Sequence, residues 1–253
     1  MFVFINLSVL KHLKMVNSNT SCIKCVDGIK ICICCSGKLV KNGFTRAKKQ
    51  RYKCKKCNKS VVENYTYNAY FSQINNQIVL LLTEGLGIRS ISRVLHISTT
   101  TLLKRILAIS NAISLPAMKT GSSYEIDELC TFVKCKIKRI WIVYAFERET
   151  KKIVGFNTGA RTNLTLKKVV DKVCKANPKA VFTDRLKNYR SLIPSFIHKT
   201  VRFGTNHIER ANLTLRTHLK RLNRKTVCFS KSEVVLNAVL KIYFGSIARK
   251  FLH

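Results

Sequence analysis

Acidic residues are what this chain lacks most. Of its 253 residues only 12 are Asp or Glu, against 47 Lys or Arg, a formal net charge of +35 at pH 7. So large an excess repels itself in any compact state and implies a polyanionic partner. Long apolar runs are missing too, and none approaches the length needed to cross a bilayer. The opening MFVFINLSVLKHLK carries its charge after its apolar residues, the reverse of a secretory leader. Met15 is an alternative start, and residues 1–14 carry no interpretable chemistry. The positive charge runs through the whole chain instead of gathering in one amphipathic helix or tail. That argues against a membrane surface and for nucleic acid, where each neutralised phosphate releases a counterion. The expectation is a cytoplasmic, nucleoid-associated protein with no membrane partner. Against these absences, 46% of the residues are hydrophobic, which excludes wholesale disorder. The length suits two or three compact units.

Seven of the eleven cysteines fall between Cys22 and Cys57; Cys130, Cys135, Cys174 and Cys228 are scattered and read as small packing residues. Clustered Cys-x-x-Cys pairs beside lysines indicate metal binding in a reducing compartment. Cys32 and Cys35, then Cys54 and Cys57, supply four thiolates for one structural tetrahedral Zn2+. Between the pairs, Lys38–Lys41 and Arg51–Lys53 read as two strands joined through Asn42–Gly43. A stretch this small needs the metal for much of its folding free energy. Cys22 and Cys25 remain an alternative knuckle or a second, incomplete site. Arg51 and Lys53 lead the basic residues of this ribbon as candidate phosphate contacts, with a merely solvated face as the bland alternative.

From Ile74 to Ser110 the apolar pattern takes a helical period. Ile78, Leu81 and Leu82 form a stripe that Gly85-Leu86-Gly87 breaks. Ser90 and Ser98 are candidate caps of a second and a third helix. Three short helices with tight turns suit a helix-turn-helix, whose third helix presents Thr100, Lys104 and Arg105 to a major groove. Plain helical packing units look alike, so the DNA reading leans on the surrounding charge. Pro116 and residues 119–123 read as a linker.

Nine of the twelve acids follow residue 116: Glu125, Asp127, Glu128, Glu147, Glu149, Asp171, Asp184, Glu209 and Glu233. Residues 124–133, 140–146 and 152–157 read as strands, 165–174 as a helix and 180–183 as a strand ending in Asp184. Residues 196–203 read as a fifth strand. Ile208, Ala211, Leu215, Leu219 and Leu222 then mark one helix face, with Glu209 at its start among Arg216, Lys220, Arg221, Arg224 and Lys225. This order is α/β with a mixed sheet. It allows Asp127, Asp184 and Glu209 to converge at one end, as a pair of Mg2+ or Mn2+ ions requires. Along the first strand, Glu125 and Asp127 share a face and Glu128 takes the other. Glu128 stays a substitute ligand, and a lone charge partner is the bland reading of Glu209.

The phrase GTNHIERANLTLRTHLKRLNRKTVCFSKS at Gly204–Ser232 resembles the C-terminal signature of the bacterial insertion-sequence-1 transposases. Upstream, KNGFTRAKKQRYKCKKC, EIDELCTFV and VFTDRLKNY are similar to the same family, in the same order. The resemblance covers about residues 22–245. It implies a ribonuclease-H-like catalytic fold whose Asp-Asp-Glu triad falls on Asp127, Asp184 and Glu209, with 24 residues between the last two. The family's basic residue seven positions after the Glu falls on Arg216. Arg185 stands where a small residue often follows the second Asp, and Val61 where an aromatic often closes the ribbon. The expected organisation is an N-terminal extension (1–21), a zinc ribbon (22–66), an all-α helix-turn-helix (67–116) and the catalytic domain (117–253).

The resulting expectation is an enzyme that binds the terminal inverted repeats of its element and target DNA as a homo-oligomer. It would hold two Mg2+ per active site and catalyse strand cleavage and strand transfer, with Lys220, Arg221, Arg224 and Lys225 on DNA phosphates. The alternatives are a catalytically inactive DNA-binding regulator and a nuclease that cuts without joining.

Overall fold

The computed structural model describes residues 23–26, 28–62 and 65–250. The chain folds as two compact units, one running through Gln77 and including Ser92–Thr101, the other made of Ile78–Ile91 with Leu102 onward. Cys22, one of the alternative zinc ligands, lies outside the described residues.

The first unit is built on two small antiparallel sheets. Strands β1 (Ile23–Val26) and β2 (Ile29–Cys32) form a hairpin, and β3 (Leu39–Phe44), β4 (Gln50–Cys54) and β5 (Ser60–Val62) form a meander. Ile23, Cys32, Leu39, Tyr52, Cys54 and Val61 make its miniature core. Val61, standing where the family often has an aromatic, is 3% exposed. The structure corrects the expected turn: Asn42 and Gly43 lie inside β3, where the register with β4 shifts between Lys41 and Phe44. Gly43 takes a positive φ of 67° there, the conformation of a bulge glycine. The reversal falls later in the chain, where Lys48 N–H bonds Thr45 O and Lys48 takes a φ of 56°.

Three helices follow: α1 (Ile74–Thr83), α2 (Ile88–Leu95) and α3 (Thr99–Ala112). Gly85 ends α1 at φ 80°, with Leu86 N–H reaching back to Leu81 O in a Schellman closure. A Cβ on Gly85 would sit 2.1 Å from the His218 carbonyl oxygen, so no other residue fits. Ser98 caps α3, its Oγ accepting the Thr101 N–H at 3.1 Å. Ser90, the other expected cap, lies inside α2.

The second unit is organised by a five-stranded mixed sheet. It contains β6 (Ser123–Val133), β7 (Cys135–Glu147), β8 (Lys152–Gly159), β9 (Ala180–Thr183) and β10 (His198–Lys199), in the order β10-β9-β6-β7-β8. The β6, β7 and β8 neighbours are antiparallel, while β9 runs parallel to β6 and β10 parallel to β9. Helices α4 (Asn163–Lys175) and α5 (Lys187–Leu192) supply one face of the packing, and α6 (Asn206–His218) and α7 (Glu233–Lys250) the other. Strand alternation assigns the layers. Tyr124, Ile126, Val143 and Ala145 join Leu166, Val169, Val170, Val173 and Tyr189 in one core. Tyr144 instead bonds Ile208 and Asn212 of α6 and stacks on Phe244 of α7. The fifth strand is much shorter than residues 196–203 allow, since Phe196, Val201 and Phe203 stay exposed and only His198 and Lys199 pair.

Leu166 is wholly buried in the α4 core, whereas Leu164 is 78% exposed on the same helix. Leu166→Ala should cost about 2–5 kcal/mol in urea denaturation, from lost transfer energy and the cavity left behind. Leu164→Ala should stay within about 0.5 kcal/mol. Equal costs would contradict this packing.

Candidate active site and metal centres

The acids converge because of register. Ile126 pairs with Thr183 across the parallel β6–β9 ladder, so the next residues, Asp127 and Asp184, meet where β9 ends. Glu128 joins them, and one carboxylate oxygen from each of Asp127, Glu128 and Asp184 lies within 4.8 Å of the others. Asp127 Oδ1 accepts the Glu128 N–H at 2.7 Å and Oδ2 accepts the Asn212 amide at 2.6 Å. Asp184 Oδ1 accepts the Leu186 N–H at 3.0 Å, which turns the chain away from the strand. Glu128 lies on the opposite face with a side chain 1% exposed and Oε1 without a hydrogen bond.

Burial pushes Asp127 above the usual carboxylate range, and the charges of Asp184 and Glu209 add to it. Burial likewise raises Glu128, helped by Asp184 and Asp127. Carboxylates this close repel unless a cation sits among them, and a hard divalent ion fits the donor set.

Glu209 stands in the first turn of α6, exposed, with Oε1 accepting the Thr205 hydroxyl at 2.9 Å. It is near enough for its charge to act on Asp127, yet the described residues do not gather it into the compact trio. Arg216, two turns on, donates to Leu222 O at 3.3 Å, and burial lowers its pKa. Beyond it, Lys220, Arg224 and Lys225 are exposed. Arg221 is half-buried and bonded to the Ser230 hydroxyl at 3.2 Å.

Sequence reasoning missed the residues that seat α6. Glu125, fully buried, accepts Arg148 Nε and His207 Nδ1 at 2.7 Å each and the Ile208 N–H at 2.9 Å. Tyr144 donates to Asn212 Oδ1 at 2.8 Å while the Asn212 amide holds Asp127. The signal for Asn212 was a polar residue on the stripe of Ile208 and Leu215, both buried.

In the first unit, Cys32, Cys35, Cys54 and Cys57 gather their sulfurs within 4.8 Å. The two knuckles have the same geometry. Ser36 N–H returns to Cys32 O and Asn58 N–H to Cys54 O, with Ser36 and Asn58 at φ 52° and 57°. A Cβ on Gly37 would fall 2.9 Å from Cys54 Sγ, so glycine permits the knuckles to approach. The Cys57 backbone N–H is the main force drawing the Cys54 thiol down to about 6. Against the pull of the Gly37 N–H, the neighbouring Cys54 and burial push Cys35 up to about 12. Four thiols on two rigid knuckles fit a tetrahedral zinc. Cys25 and Cys34 are exposed and outside the cluster. Arg51, Lys53, Thr100 and Lys104 are exposed, and Arg105 is half-buried.

Replacing Cys54 and Cys57 together with Ser should remove bound zinc in elemental analysis and unfold the β3–β5 sheet, because zinc contributes about 10–16 kcal/mol in small domains. Zinc retained by that variant would overturn the site. The acid cluster gives a pH signature. A carboxyl whose pKa is raised by folding stabilises the native state at low pH, and that stability is lost as pH rises through the folded-state value. In divalent-free buffer Tm should therefore fall across this range, and Asp127→Asn should flatten the fall. An unchanged slope would contradict the repulsion.

The sequence profile of the IS1 transposase family matches residues 122–249, half of the chain. Insertion element iso-IS1n protein InsB of Shigella dysenteriae is 35% identical over 116 residues, spanning 46% of this chain and 88% of that protein. Insertion element IS1 protein InsB of Shigella flexneri is 34% identical over 121 residues, spanning 48% of this chain and 92% of that protein. With its acids gathered at the β6–β9 junction and these relatives across the same segment, the chain belongs to the IS1 family of insertion-sequence transposases.

Proposed function

We propose that this transposase binds the terminal inverted repeats of its element and, at one divalent-metal site, cleaves and then joins DNA strands. The observation that carries this reading is the meeting of Asp127 and Asp184 at the end of a parallel strand pair, beside the helix that bears Glu209. The sheet order, with three antiparallel strands followed by two parallel ones and helices on both faces, supports a ribonuclease-H-like catalytic domain over residues 117–253. Asp127, Asp184 and Glu209 are read as the metal-holding triad. Two Mg2+ or Mn2+ ions bound there would polarise the attacking oxygen and stabilise the leaving one.

The chain's own groups do the positioning. Asn212 fixes one Asp127 oxygen and the Glu128 N–H the other. Arg216, with exposed Lys220, Arg224 and Lys225 after it, neutralises phosphates near the scissile bond. Water is the first nucleophile and the freed 3′-hydroxyl the second, so no covalent enzyme–DNA bond is needed. Residues 22–66 act as a zinc ribbon and 67–116 as a helix-turn-helix, with Arg51, Lys53, Thr100, Lys104 and Arg105 toward DNA. Holding two element ends at once requires a homo-oligomer. Among the described residues no helix is long and apolar enough to cross a membrane, and the charge suits work on the nucleoid.

A joining assay with labelled element-end DNA, a plasmid target and Mg2+ tests this. Wild type should give joined product and Asp184→Ala none, with DNA affinity retained. Binding without cleavage by wild type would establish the regulator instead, and cleavage without joining the nuclease.

A further inference from the structure

We propose that Glu128 is a carboxylate ligand of the catalytic cations, holding metal together with Asp127 and Asp184. The proposal rests on the metal-dependent reading above and assigns a role outside the triad.

Two independent observations point to it. The first is position: the described residues gather Asp127, Glu128 and Asp184, not Glu209, into one group with ligand oxygens within 4.8 Å. The second is an unsatisfied atom. The Glu128 side chain is 1% exposed and its Oε1 makes no hydrogen bond. The Tyr189 hydroxyl lies beside the carboxylate and draws its pKa down, yet no donor meets Oε1 in hydrogen-bonding geometry. A buried charged oxygen without a partner is expensive and is seldom tolerated unless something else binds there.

The competing explanation is that Glu128 serves Arg161. That ion pair is long, 3.6 Å from Arg161 Nη2 to Glu128 Oε2, and Arg161 is 41% exposed. Its guanidinium also lies over the Trp141 ring, 4.5 Å from the centroid. Such a partner leaves Oε1 unanswered and does nothing for the repulsion from Asp127 and Asp184. A divalent cation answers both. The neighbouring carboxylates come from opposite faces of β6, Asp127 toward α6 and Glu128 toward Tyr189 of α5. They meet at Asp184 because β9 stops at Thr183, leaving the edge of β6 open there. Glu209 is exposed and bonded to Thr205, outside this group.

The test is Mn2+ binding to the full chain by calorimetry, with Mn2+-dependent thermal shift as a second readout. Glu128→Gln should weaken Mn2+ by about 10-fold or more, as losing a well-placed metal contact does. The metal-free variant should melt no lower than wild type, because a buried repelling charge has been removed. Glu128→Asp, with the charge kept but the reach shortened, should fold and also bind Mn2+ more weakly. Arg161→Gln should leave Mn2+ affinity within about twofold, which an ion-pair role for Glu128 does not require. If Glu128→Gln binds Mn2+ like wild type while Asp184→Asn does not, Glu128 is no ligand and the triad reading survives. A metal-free Glu128→Gln that melts lower and keeps its Mn2+ shift assigns Glu128 to Arg161 and overturns the proposal. If wild type itself takes up no Mn2+, the metal-dependent function fails and this inference falls with it.

Discussion

Glu125 accepts hydrogen bonds from three directions inside the sheet, and the spacing of the acids follows from that. Arg148 reaches it from the end of β7, and His207 and the Ile208 N–H from the first turn of α6. The amide is one of the donors that a helix start leaves unsatisfied, so a buried carboxylate there answers both the hydrogen bond and the helix dipole. Arg148 also donates to Gly204 O and lies 3.7 Å over the Phe182 ring of β9. One network therefore ties β6, β9 and α6, the three elements that carry Asp127, Asp184 and Glu209. Loss of Arg148 would leave Glu125 charged and buried, which is the costly case for such networks.

Electrostatically the molecule inverts the usual arrangement. Positive charge covers the chain, nine of its twelve acids follow residue 116, and Glu125 and Glu147 are buried among them. Glu125 is paired with Arg148 and hydrogen-bonded by His207, whereas Asp127, Glu128 and Asp184 cluster with only the long Arg161 contact to Glu128. That division separates a structural carboxylate from the group proposed to hold metal. Arg216 marks the border, close enough to feel Asp127 but bonded to Leu222 O.

Much of this layout was legible in residue order. Strands β6 to β9 and helices α4 and α6 follow from apolar periodicity, and Asp184 announced itself at the end of AVFT. Helix α7 was not read at all. Its segment EVVLNAVLKIYF is apolar on nearly every side, because Leu236, Val239, Leu240, Ile242, Tyr243 and Phe244 are all buried, so no amphipathic stripe marks it. Residues 196–203 misled in the other direction, since Phe196, Val201 and Phe203 are exposed and only Ile197 packs into the core. Asn42–Gly43 carries the signal of a hairpin turn but forms a bulge, since a positive-φ glycine serves either.

By itself the sequence determined the chemistry of this protein. The thiol pairs, the scarcity of acids, the basic excess and the order of strands depend on local pattern and composition, which one-dimensional order carries in full. Only the tertiary structure decided which carboxylates share a site. Strand parity sends Glu128 away from Asp127, and helix position brings Glu209 near, yet the described structure gathers Glu128 and leaves Glu209 beside Thr205. That outcome depends on where β9 ends against β6 and on how Glu125 seats α6. Both are contacts between residues far apart in the chain, which no local pattern encodes.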